Sequence, residues 1–186
     1  MQKFPNLKRL LLLREQATDA GLAKLEGLEN LEEIFIWDAF AVSDAGVAHL
    51  AKLRSLKHVH INNSLITDES LHHLSELPNV EVLSLQGHSF SDKGLEHLQG
   101  MKQLKRLWLG AGKKNGNEIT DDGLEFLSGL SQLDQLELTF SKVTDEGLKS
   151  LRPLKNLRQL YVGYTKVTDE GFEELKESLP ALTTNQ

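Results

Sequence analysis

Apolar residues recur along this chain with a two-part beat that no single helix or strand would produce. From Ser131 onward, Leu133, Leu136 and Leu138 combine a bend with a two-residue alternation, which predicts a short strand turning one face inward. The alternating pair returns as Leu10/Leu12, Ile34/Ile36, Val59/Ile61, Leu83/Leu85, Leu107/Leu109 and Leu160/Val162. Seven short parallel strands are therefore expected. After a short variable stretch the beat changes. Leu148, Leu151 and Leu154 recur at every third residue, which predicts a helix or tight helical turn that lays its apolar edge on the back of the strands.

Polar letters mark the joint between the two beats. Each unit has Ser or Thr followed by Asp: Thr18-Asp19, Ser43-Asp44, Thr67-Asp68, Ser91-Asp92, Thr120-Asp121, Thr144-Asp145 and Thr168-Asp169. The hydroxyl can accept from free N–H groups at a helix start, and the carboxylate is expected to face the positive end of that helix's dipole. This reading outweighs a calcium-binding column of aspartates, and it assigns seven of the ten aspartates to capping. Glycine stands two residues after the Asp in six units, with Ser70 the exception, which implies a close approach tolerating only small residues. The stretch VTDEGLKSL at Val143 and its echo VTDEGFEEL at Val167, 24 residues later, show the same instruction written twice. A reacting constellation is needed once, whereas a repeating architecture needs its joint in every unit.

Units begin near residues 5, 29, 54, 78, 102, 131 and 155, and a partial unit occupies 180–186. The shared frame, LxxLxL followed by [ST]DxGLxxLxxL, resembles the leucine-rich repeat. It is nearest to the cysteine-containing class of F-box-type and bacterial proteins, and the resemblance covers about residues 5 to 182. It implies a single domain, 1–186, built as a right-handed α/β solenoid of about seven 24-residue repeats, with a parallel sheet on the concave face and short helices on the convex face. Two departures stand out. The class's cysteines are absent, and the Asn usual three residues after the last strand leucine is replaced by Glu15, Ala39, Ser64, His88, Gly112, Ser141 and Thr165. Loop stability is then expected from backbone pairing or short hydroxyl side chains. No F-box precedes the repeats, so an adaptor role in ubiquitin ligation is not carried over.

Composition narrows the function. A net charge of −6 argues against nucleic acid or an anionic membrane surface as partner, and a cysteine count of zero excludes disulfides, thiolate nucleophiles and thiolate-bound metals. With 39% hydrophobic residues and no run approaching a membrane span, the chain reads as soluble and, by default, cytoplasmic.

In such a solenoid the residues between the inward leucines face the concave surface. The middle column reads Leu11, Phe35, His60, Ser84, Trp108, Glu137 and Tyr161. Two residues on stand Leu13, Trp37, Asn62, Gln86, Gly110, Thr139 and Gly163, followed by Arg14, Asp38, Asn63, Gly87, Ala111, Phe140 and Tyr164. Counting Phe40, seven of the eleven aromatic residues fall on or beside these columns. Rings on a fixed surface suit recognition, and five of them at about 150–250 Å² each approach one partner's share of a standard interface, about 800 Å². The alternative is that the rings merely pack on one another across adjacent strands, and it fits Phe140 with Tyr164, or Phe35 with Trp37, less well. The expected binding residues are Phe35, Trp37, Trp108, Phe140, Tyr161 and Tyr164, with Arg106 and Glu137 setting polarity for a protein or peptide partner, and without catalysis, cofactor or metal.

Other features carry competing readings. His58 and His60, with Glu33 beside His58 one repeat earlier, could hold a metal in an enzyme or sensor. Ser84 beside His60 suggests a nucleophile and base, but no aspartate column orients the imidazole. His49, His73 and His97 form a 24-residue series explained by duplication. The insertion 110–118, GAGKKNGNE, lacks P-loop spacing and reads as tolerated loop growth, with Lys113 and Lys114 available to a rim. Leu10 to Leu13 make the N-terminal edge apolar on both faces, suited to docking another domain or a second copy, while Leu179 to Leu182 form a partial cap. A purely structural spacer is the remaining alternative.

Overall fold

A computed structural model of the chain describes residues 4–62, 64–86, 90–110 and 116–184, the side chain of Thr184 excepted. Asn63, Gly87, His88, Ala111, Gly112, Lys113 and Lys114, to which the sequence assigns columns, ladder places or a rim, lie outside the described residues. One parallel sheet runs in chain order through β1 (Arg9–Leu13), β2 (Glu33–Trp37), β3 (His58–Asn62), β4 (Val82–Gln86), β5 (Arg106–Trp108), β6 (Gln135–Glu137), β7 (Gln159–Tyr161) and β8 (Thr183–Thr184). Behind it stand α1 (Asp19–Ala23), α2 (Asp44–Leu50), α3 (Asp68–Ser75), α4 (Asp92–His97), α5 (Asp121–Glu125), α6 (Asp145–Leu148) and α7 (Asp169–Ser178). Each strand packs on the next strand and each helix on the next helix, so the chain is a stack of similar units.

The apolar beat sets the register. Leu10, Ile34, Val59, Leu83, Leu107, Leu136 and Leu160 pair in one continuous row, and Leu12, Ile36, Ile61 and Leu85 form a second. Both rows point into a single core, where the first residue of each unit's leucine trio, such as Leu31, Leu56, Leu104 and Leu133, is fully buried. The partial eighth unit does more than expected. Thr183 pairs with Gln159 to add β8, and Leu179 and Leu182 are buried beneath it.

The joints differ from the expectation in an instructive way. Five of the seven hydroxyls cap as expected: Thr18, Ser43, Thr67, Thr144 and Thr168 each accept from an N–H in the first turn of their own helix, whereas Ser91 and Thr120 make no such bond. The aspartates, however, do not simply face their own helix dipole. Six of them reach across to the next unit, where one carboxylate oxygen accepts from the backbone N–H of the Ser or Thr cap and the other accepts from its hydroxyl. Asp19 holds Ser43 at 2.8 and 2.6 Å, Asp92 holds Thr120 at 2.8 and 2.7 Å, and Asp121 holds Thr144 at 2.7 Å twice. Asp44, Asp68 and Asp145 repeat the arrangement on Thr67, Ser91 and Thr168. Capping accounts for five of the seven hydroxyls and only incompletely for the carboxylates, because the unit's own helix start lies beside the next unit's cap.

This ladder also explains the glycines. A Cβ added at Gly46, Gly94, Gly123, Gly147 or Gly171 would stand 2.1–2.3 Å from a carboxylate atom of the preceding unit's aspartate. The glycine is the space into which that carboxylate fits. Ser70, the exception, turns the crowding into a bond, donating its Oγ–H to Asp44 Oδ1 at 2.5 Å. Burial pushes the Asp44 carboxyl up, but donation from Ser70 and Thr67 outweighs it and holds the group below its ordinary range. A second ladder stitches the opposite ends of the strands: the side-chain amides of Asn30, Asn79, Gln103 and Asn156 donate to the carbonyls of Pro5, Arg54, Pro78 and Ser131.

Candidate functional site

Strand alternation places Leu11, Phe35, His60, Ser84, Trp108, Glu137 and Tyr161 side by side in strict register on the concave face. Phe35 and His60 stack with ring centroids 4.5 Å apart and planes 8° from parallel. Trp108 tilts toward His60 over the small, buried Ser84, their centroids 6.3 Å apart. Phe35, His60 and Trp108 thus form an aromatic band rather than separate rings. Trp37, on the same face of β2, is 51% exposed beyond the end of this band. Trp37, His60, Ser84, Gln86 and Trp108 border a small cleft of about 170 Å³, and Gln86, Trp108, Glu137 and Tyr161 border another of about 280 Å³.

Phe140 and Tyr164 are placed differently from the expectation. They lie not in the sheet but in the turns that follow β6 and β7, on the rim, both with φ of +58°. Arg14 and Asp38 adopt the same left-handed conformation at the equivalent places, with φ of +48° and +54°. The column is therefore a required turn, which a bulky side chain occupies only under strain. The two rings stack on one another, centroids 4.3 Å apart and planes 5° from parallel, yet Tyr164 remains 72% exposed. Ring-on-ring packing, judged the poorer fit for this pair from sequence, does occur; it fixes the rings without burying them.

Polar neighbours set the electrostatics. Glu137 accepts from Gln86 Nε2 at 2.9 Å and from Thr139 Oγ1 at 3.0 Å, and Tyr161 donates its hydroxyl to Gln159 Oε1 at 3.1 Å. Arg106 opens β5 as an exposed cation two positions before Trp108. Among the predicted binding residues, the structure gathers Phe35, Trp108, Arg106, Glu137 and Tyr161 on the sheet, sets Trp37 at its end, and moves Phe140 and Tyr164 to the rim.

The histidine cluster has other occupations. Glu33 accepts from Arg9 Nε at 2.6 Å and stands 3.7 Å from His58 Nδ1, and the bond from Arg9 holds its carboxyl below the ordinary carboxylate range. Burial, reinforced by the charge of His58, lowers the His60 pKa to about 4, so that ring is a neutral, stacked group at ordinary pH. Among the described residues no set of three His, Cys, Asp or Glu side chains is placed to hold a metal ion. In the helical series, His49 pairs with Glu26 and His73 with Glu69, while His97 packs on His72.

Sequence reasoning also missed two asparagines that act in the loops. Asn62 Oδ1 accepts from the Asp38 N–H at 3.0 Å. Asn117, fully buried at the end of the insertion, accepts from the Phe90 N–H at 2.9 Å and donates to the Leu109 carbonyl, bridging adjacent units. The insertion moves this Asn out of the repeat frame, which is why the ladder position read as Gly112. Thr165 fulfils the expectation of hydroxyl support, donating to the Val162 carbonyl at 2.6 Å.

A family model described as Leucine Rich repeat matches residues 115–128 and 133–151. Among solved structures, the chain is similar to an internalin (inlF) from Listeria monocytogenes strain 4b F2365, with 21% identity and a TM-score of 0.68 over 98% of this chain and 56% of that one. It is also similar to internalin C2 (inlC2) of the same strain, with 23% identity and a TM-score of 0.64 over 91% of this chain and 76% of that one. The chain thus spans little more than half of the first and about three quarters of the second. No helix among the described residues is long and apolar enough to cross a membrane.

Proposed function

We propose that this chain, a leucine-rich-repeat solenoid in fold, is a non-catalytic module that binds a protein or peptide partner on its concave face and the adjoining rim. The observation that carries this reading is the set of accessible rings on the sheet face and rim. Trp37 and Tyr164 are 51% and 72% exposed, and Tyr164 keeps a strained conformation stacked on Phe140. Strain of this kind persists where the surroundings enforce it and clusters at ligand-contacting places. A flat extended partner laid along the sheet would meet Phe35, Trp108 and Tyr161 in its middle, Trp37 at one end and the stacked pair on the rim. Because Phe35, Trp108, Phe140 and Tyr164 already pack on neighbouring rings, binding would order few of them, which favours affinity.

The same geometry speaks against the metal-dependent alternative centred on Glu33, His58 and His60. His60 is half-buried against Phe35 and Trp108 with its proton affinity depressed, and Glu33 is engaged by Arg9, so neither is poised as a base or ligand.

The test is affinity capture from source lysate with wild-type protein beside a Trp37→Ala/Trp108→Ala variant, with circular dichroism confirming that both are folded. A protein retained by the wild type and lost by the variant is expected. Identical capture by both would refute the concave-face reading.

A further inference from the structure

Resting on that reading, we infer that Trp108, Glu137 and Tyr161 form a receptor for one arginine side chain of the partner. The register sets Glu137 directly between the two rings, with Trp108 on one neighbouring strand and Tyr161 on the other. Two strand spacings separate the rings' backbones by about 9.6 Å. A guanidinium stacked on both ring faces would span roughly 7 Å, and Trp108 leans toward His60, so the opening over Glu137 is wider than that and the group rests on one face while the other ring borders it. The cleft bounded by Gln86, Trp108, Glu137 and Tyr161, about 280 Å³, has room for the group and its alkyl stem.

The carboxylate at its floor is prepared. Gln86 donates to one oxygen and Thr139 to the other, so both are fixed and each keeps acceptor capacity for the two parallel N–H bonds of a guanidinium. Gly110 makes the posture possible, since a Cβ there would stand 2.4 Å from Glu137 Oε1. Among the described residues no cation of this chain lies within ion-pair distance of Glu137, whereas Glu33 on β2, and Glu32 and Glu81 just before β2 and β4, each have one. A charged acceptor flanked by two aromatic faces in a chain of net charge −6 is complementary to a flat cation. Arg106, two positions away on the same face, limits the site to one such group.

A Trp37→Phe background leaves Trp108 as the single tryptophan and its fluorescence as the reporter. This protein is titrated at constant ionic strength with Nα-acetyl-arginine amide and, separately, with the neutral isostere Nα-acetyl-citrulline amide. A saturable response to the arginine probe in the millimolar range is expected, weaker by about tenfold for citrulline and for Glu137→Gln. Gly110→Ala, which displaces the carboxylate without removing it, should weaken binding in the same direction, with circular dichroism reporting the fold of each variant. Equal responses to the two probes, no saturable response, or unchanged affinity in folded Glu137→Gln would overturn the inference. Lysate capture separates the two readings. Capture abolished by Trp37→Ala/Trp108→Ala but undiminished by Glu137→Gln defeats the arginine receptor alone; capture unaffected by either defeats both.

Discussion

Replacing Asp121 by alanine tests what joins one repeat to the next. Asp121 accepts from the N–H and the hydroxyl of Thr144, each at 2.7 Å, at a half-buried joint between α5 and α6. Hydrogen bonds to a charged acceptor contribute about 1.5–3 kcal/mol each, and the two are not independent because they share one carboxylate. Loss of both, with the Thr144 N–H left without its acceptor, should destabilise the protein by about 3 kcal/mol. Asp122→Ala is the internal control: it sits one residue on, exposed, in the same first helical turn, and so shares the helix-dipole and propensity changes without the joint. That control should shift stability by no more than about 0.5 kcal/mol. Thr144→Val removes the hydroxyl and its cap to Glu146 but keeps the backbone donor, and should fall between the two. Urea unfolding followed by far-UV circular dichroism gives the three values. If Asp121→Ala is no more costly than Asp122→Ala, the carboxylate is an ordinary helix-start residue and the ladder contributes nothing.

Gly123→Ala should destabilise the protein, although alanine is the better helix former by about 1 kcal/mol, because its Cβ would stand 2.2 Å from Asp92 Oδ1. In an Asp92→Ala background the added methyl should cause no further loss; additive losses in a thermal melt would contradict the steric account. His60 should remain neutral as the pH falls below 6.5, its ordinary value, and take up its proton only near pH 4. The unfolded chain protonates first, so the stability this ring contributes is complete above about pH 6.5 and declines as the pH falls toward 4. Imidazole NMR shifts report the midpoint directly, and a midpoint at or above 6.5 would mean that the stack with Phe35 and Trp108 does not exclude water.

Most of the architecture was legible because it is periodic. Leucines at fixed intervals report burial whether or not the partner is known, and the Ser/Thr-Asp pair marks a helix start by local chemistry alone. What sequence reading missed depends on contacts between units. The carboxylate of Asp121 and the glycine at 147 are far apart in the chain, and each has a plausible local explanation, so neither letter reveals the other; the recurrent pairing of an Asp with a glycine one unit later was the available signal. Asn117 escaped because the insertion shifted it out of frame. Phe140 and Tyr164 were found as rings but misplaced, since a column count cannot tell the last strand residue from a left-handed turn. The face proposed for binding was chosen for a different reason: it is where the repeat leaves the letter free.

The aspartate rungs all share one donor set, one acceptor and one direction, from each unit's cap back to the unit before. Any unit's tail therefore fits any other unit's head. Removing a whole unit would bring Asp44 opposite Ser91 instead of Thr67, and the same four kinds of atom would meet. A joint that repeats the same pair of bonds in each unit makes the number of units adjustable while the fold is kept, and lets the concave surface lengthen, shorten or be recombined in whole columns with little redesign of what lies beneath it.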